Sequence, residues 1–103
     1  MSSANPHRGE TSIEVAGERL LLRPSFGALV AAEEELGSLF AMVERAAEGM
    51  LKLSEIAALF DHLSRGRSPA ITRERIGEAL IEKGLAGVAP MLKMVLTQIL
   101  QGR

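Results

Sequence analysis

Apolar and polar residues alternate at the start of the chain and then recur at helical spacing. Ile13 and Val15 alternate with Ser12 and Glu14, the period of a half-buried strand. Ala16-Gly17-Glu18 offers a turn, with Gly17 free to take positive φ. Arg19 to Arg23 returns as a second strand with Leu20 and Leu22 on one side, and Pro24 ends it because it lacks a ladder donor. The stretch Thr11 to Arg23 therefore predicts a β-hairpin. Such a hairpin is marginal alone and must pack on something.

From Ser25 onward the period changes to that of amphipathic helices. Ser25 is an N-cap, followed by a stripe of Phe26, Leu29, Val30 and Leu36, with Gly37 as the C-terminal stop. Ser38 caps a second helix with Leu39, Met42, Val43 and Ala46 inward, Met50 following and Gly49 stopping it. Ser54 reads as the cap of a third helix carrying Ile56, Leu59, Phe60 and Leu63. A loop over Arg65 to Pro69 precedes a fourth helix capped by Thr72 and carrying Ile76, Ala79 and Leu80. Gly84 and Gly87 bracket a break. Pro90 suits the first turn of a final helix with Val88, Leu92, Val95, Leu96 and Ile99 inward. The expected fold is mainly α within the α+β class: an N-terminal β-hairpin and a bundle of about five short amphipathic helices. Residues 1–10, polar and with a turn signal at Asn5-Pro6, read as a flexible arm before a single domain over 11–103.

Composition narrows the functions this fold could carry. The 103 residues suit one domain, and 47% apolar content suits a folded one. There are no cysteines, which removes disulfides and thiolate-bound metals. His7 and His62 lie far apart and neither has a histidine one turn away, so a helical metal site is not expected. A net charge of −1 offers no global attraction to nucleic acid or an anionic membrane. No apolar run reaches the ~18–20 residues of a membrane span. The opening segment lacks an apolar core of signal-peptide type, and a reducing cytoplasm is the expected compartment.

The search for chemistry finds no phosphate-binding glycine motif and no cofactor signature. Glu33, Glu34 and Glu35 cluster near the end of the first helix. Glu34 and Glu35 point away from the apolar stripe, whereas Glu33 falls inside it. No second acid converges with Glu33 as a general acid/base pair requires. Glu33 then sits at the core edge, bonded to an Arg or a helix N-terminus, or marks a groove where a partner docks. Asp61, His62 and Ser64 diverge around a helix and make no triad. Arg65, Arg67, Arg73 and Arg75 form a local basic cluster, which supports an alternative reading as a small helical regulatory or DNA-binding domain. The connection is longer than a helix-turn-helix turn, and Glu74 and Glu78 dilute its charge. Met94 projects away from Val88 and Leu92, with Met91 at the stripe's edge. Exposed methionine adapts readily to partners. Ala31, Ala32, Ala57 and Ala58 permit close approach of a second helix. No enzymatic role is expected, and binding to another protein is.

Several strings add a resemblance that covers nearly the whole chain. Ala4-Asn5-Pro6-His7-Arg8-Gly9-Glu10 leads into the first strand, and it is the most specific of them. Phe26-Gly27-Ala28-Leu29 opens an acidic helix ending at Leu36-Gly37, and Ser38-Leu39-Phe40-Ala41 with Val43-Glu44-Arg45 follows. Leu63-Ser64-Arg65-Gly66 closes a helix, and Gly84 to Leu100 runs from a glycine break into an apolar helix. Together they resemble the small tail-assembly protein of gene transfer agents and siphophages, grouped with phage tail tube assembly chaperones. Pro24 with Phe26 departs from an ordinary strand-to-helix junction. The resemblance implies a morphogenesis factor in the cytoplasm of a bacterial host cell. It implies binding to the tape-measure protein and/or the tail tube protein, with self-association as a further option. It brings no catalytic residues, no cofactor, no nucleic acid and no membrane. Candidate partner contacts are Glu33, Leu36, Phe40, Met91, Met94, His7 and Arg8.

Overall fold

The computed structural model describes residues 11–102. The arm assigned to residues 1–10, with His7 and Arg8, lies outside them, as does Arg103. Strand β1 (Thr11–Val15) pairs antiparallel with β2 (Glu18–Leu22), with Thr11 opposite Leu22 and Val15 opposite Glu18. Val15 pairing with Glu18 leaves a two-residue turn, Ala16-Gly17, where the sequence suggested three residues. Both turn residues have positive φ, +50° and +81°. That is the twist a two-residue hairpin turn demands. Ile13, Val15, Leu20 and Leu22 are buried on the inner face, as their alternation predicts. They pack on the helices, which cures the instability of a lone hairpin.

Five helices follow: α1 (Phe26–Leu36), α2 (Leu39–Ala47), α3 (Leu53–Leu63), α4 (Arg73–Lys83) and α5 (Leu85–Gln101). The predicted α+β architecture is the observed one. Ser25, Ser38 and Thr72 cap α1, α2 and α4 by accepting from Ala28 N, Ala41 N and Arg75 N, each at 3.3 Å. Helix α3 lies at the centre, and Ile56 to Phe60 and Leu63 are all buried. The Arg23 amide donates to Leu63 O at 2.9 Å and ties the hairpin's exit to the end of α3.

Three expectations are corrected. The inward face of α1 is not the Phe26–Leu36 stripe. Ala28 and Ala32 are buried, Leu29 and Leu36 half-buried, while Phe26 is 84% and Val30 38% exposed. Small side chains let α1 lie close along α3, and the larger ones are left at the margin. Helix α3 begins at Leu53, two residues ahead of the expected start, with Lys52 and not Ser54 at the cap position, because the Glu55 carboxylate accepts from the Lys52 amide at 2.9 Å. Helix α5 begins at Leu85, so Gly87 and Pro90 lie within it. The break is confined to Gly84, whose φ of +85° ends α4, and whose carbonyl accepts from Gly87 N and Val88 N to start α5. Pro90 lies in the second turn, where it removes one intrahelical donor, the bond to the carbonyl of residue 86.

Candidate protein-binding groove

Where α1, α2 and the end of α5 meet, the apolar stripes leave a groove of about 240 Å³. Leu29 and Glu33 line it from α1, Leu39, Phe40 and Val43 from α2, and Ile99 and Leu100 from α5. Its position follows from the caps. Gly37 at φ +89° turns the chain sharply after α1, and Ser38 starts α2 at once. Met42 faces the core, so Phe40 faces outward, 76% exposed. Leu100 sits near the end of α5 and is 54% exposed. Phe26 and Val30 continue the apolar surface along the outer face of α1, since residues three and four apart share a helix face.

Glu33 stands at this groove and also has a structural partner. Its Oε2 accepts from the Leu39 amide at 3.0 Å, supplying an acceptor to the positive N-terminus of α2. Of the two roles considered for Glu33, the bond to a helix N-terminus is present, and it lies at a groove edge. Phe40 is the other candidate contact in the same place. Leu36 is half-buried and lines a different crevice, between α3 and α4. Met91 is half-buried and packs against the core. Met94 is 42% exposed on the outer side of α5 and is not among the groove-lining residues.

A polar cluster joining α1, α3 and α4 is one that sequence reasoning missed. Glu35 accepts from Arg73 Nη1 at 2.6 Å and Nη2 at 2.9 Å, and His62 Nε2 lies 2.7 Å from its Oε1. Arg73 Nε donates to Asp61 Oδ2 at 2.9 Å, and Asp61 Oδ1 takes an ion pair from Arg67. Arg67 in turn donates to the carbonyls of Ile71, Asp61 and Ser64, stitching the loop between α3 and α4 to the end of α3. Hydrogen bonds from Arg73, and then from His62, hold the Glu35 carboxyl down at about 2. The Glu35 bond raises the Arg73 guanidinium's pKa further. The Lys52 amide, and then Arg45, hold Glu55 below the usual carboxylate range. The proposed basic nucleic-acid loop thus has two of its four arginines, Arg67 and Arg73, engaged with the chain's own carboxylates. The sequence shows the adjacency of Asp61 and His62, the glutamate run and the arginine cluster, but not how they pair. The pairing of Glu35 with Arg73 spans 38 positions and leaves no sequence signal.

Among the described residues, no cluster of His, Asp and Glu could hold a metal, and no helix is long and apolar enough to cross a membrane. A family model described as "Phage tail tube protein, GTA-gp10" matches residues 8–102. No curated protein and no solved structure matches the chain.

Proposed function

The chain belongs to the GTA-gp10 phage tail tube protein family, and on that premise we propose that it is a non-enzymatic assembly chaperone. Its task is to bind the tape-measure protein and/or the tail tube protein while a gene-transfer-agent or prophage tail is built in the host cytoplasm. The observation that carries this reading is the open apolar groove of α1, α2 and α5, with Phe40 and Leu100 exposed at it. A groove between helices suits an amphipathic helix laid in by its apolar face. A long helical tape-measure chain offers such faces along its length.

The test is co-expression of the full chain with a tape-measure fragment or with the tube protein, followed by affinity capture. The wild type is expected to retain one of them. The double substitution Phe40→Ser, Leu100→Ser alters exposed side chains, so it should keep stability within roughly 0.5 kcal/mol and lose the partner. Failure of the wild type to retain either protein would overturn the reading.

The family description itself favours a second reading, that the chain is a subunit of the tail. A tube is built from heterologous faces that close into rings and stack. Rings or tubes formed by the purified chain alone, with the protein present in finished particles, would select this reading over the first.

A further inference from the structure

Another groove lies between α3 and α4, and it shares no lining residue with the Phe40 groove. It encloses about 540 Å³. Leu36, Leu53, Ala57, Ala58 and Gly77 line it, and Ile81 stands at one side, 64% exposed. Glu74 and Glu78 belong to its rim, and Glu82 continues their column at the same four-residue spacing. All three glutamates are exposed. Like charges at that spacing destabilise a helix rather than support it. The cation on the rim, Arg73, is already held by Glu35 and Asp61.

Gly77 supplies an independent reason to look here. It lies inside α4 without positive φ, so backbone geometry does not demand glycine. A Cβ at position 77 would meet only Ala57 Cβ, at 3.9 Å, an ordinary contact. Intramolecular packing does not demand glycine either, although glycine weakens a helix interior relative to alanine. The missing side chain keeps the groove floor open.

We propose that the α3–α4 groove binds an amphipathic α-helix of a partner whose apolar stripe is flanked by a column of Lys or Arg at four-residue spacing. The apolar stripe would cover Ile81 and the alanine and glycine floor. The basic column would run beside Glu74, Glu78 and Glu82, which span about 12 Å along α4 at 1.5 Å per residue. The charges set partner choice and orientation, and the floor sets closeness of approach.

The test uses the full chain and two synthetic helical peptides with the same leucine stripe, one carrying a lysine column and one a glutamate column. Amide NMR shifts locate binding. The lysine peptide is expected to perturb α3 and α4, and its affinity to fall about tenfold as salt rises from about 50 to about 500 mM, because surface charges are screened. The charge-reversed variant E74K/E78K should prefer the glutamate peptide. The variant G77L should fill the floor and bind neither. Circular dichroism checks that both variants stay folded, and the charge reversal alone decides the matter if G77L does not. Equal binding of the two peptides, shifts centred on the Phe40 groove, or an unchanged preference in E74K/E78K would overturn the proposal. None of these results bears on tape-measure or tube capture, so the two readings fail separately.

Discussion

Glu35 shows how a single carboxylate can join three elements. It leaves the end of α1, accepts from the two Nη nitrogens of Arg73 in α4, and meets His62 of α3. Its pKa falls from 4.5 to about 2 in the folded chain. A depressed carboxylate contributes stability above its unfolded value and loses that contribution as pH falls through the folded one. The contribution is therefore complete near neutral pH and fades between about 4.5 and 2. We expect Glu35→Gln to be less stable than wild type at pH 7 in urea titrations. The gap should close as pH approaches 2. A gap that stays constant across that window would show that Arg73 and His62 do not depress Glu35. Glu33, two residues earlier, was legible as a helix-terminus acceptor because its bond is local: Leu39 is six positions away. Glu35 was not, since nothing near it in sequence points to position 73.

At the scale of elements, most cap chemistry was legible, Ser54 excepted because Lys52 and Glu55 start α3 ahead of it, and burial by size was not. Ser25, Ser38 and Thr72 cap the helices they precede because a cap reaches only three residues ahead. The hairpin's inner face followed from the alternation in β1, with Leu20 and Leu22 opposite it in β2. The α1 stripe failed because hydrophobicity alone ranks Phe26 and Val30 above Ala28 and Ala32. Contact with α3 rewards the smaller pair. The groove at Phe40 was foreshadowed by its residues but not by its walls, which come from three helices. The hairpin turn carries its own test. Ala16 sits at φ +50°, a conformation unfavourable for a residue with a Cβ. Asparagine tolerates it and is preferred ahead of glycine in such a turn. Ala16→Asn should raise stability by roughly 0.5–1 kcal/mol, read as a higher denaturation midpoint at unchanged slope. No gain would mean that the turn does not hold Ala16 in the left-handed region.

The whole molecule depends on the hairpin as much as the hairpin depends on the helices. Ile13, Val15, Leu20 and Leu22 belong to the same apolar cluster as Phe60, Leu80 and Val95. The hairpin therefore closes the core, and most outward apolar groups are left to the helices: Phe26, Phe40, Ile81, Leu85 and Leu100 are all exposed, as is Met50 in the connection between α2 and α3. That division separates folding from binding. Substitutions at the exposed set should spare the fold, whereas a cut at the hairpin should reach every helix. Leu22 is fully buried, 0% exposed, and pairs with Thr11 at the open end of the hairpin. Leu22→Ala removes transfer energy and leaves a cavity, at a cost of about 2–5 kcal/mol. A domain of this size has roughly 5–15 kcal/mol in total, so the variant should stand near the edge of stability. Because the two strands cannot persist alone, the loss should be shared. Helical circular dichroism and hairpin amide exchange should report one common transition at a lowered midpoint. Helices that melt at the wild-type midpoint while the hairpin frays would show that the bundle stands without it, and that the core is closed by α3, α4 and α5 alone.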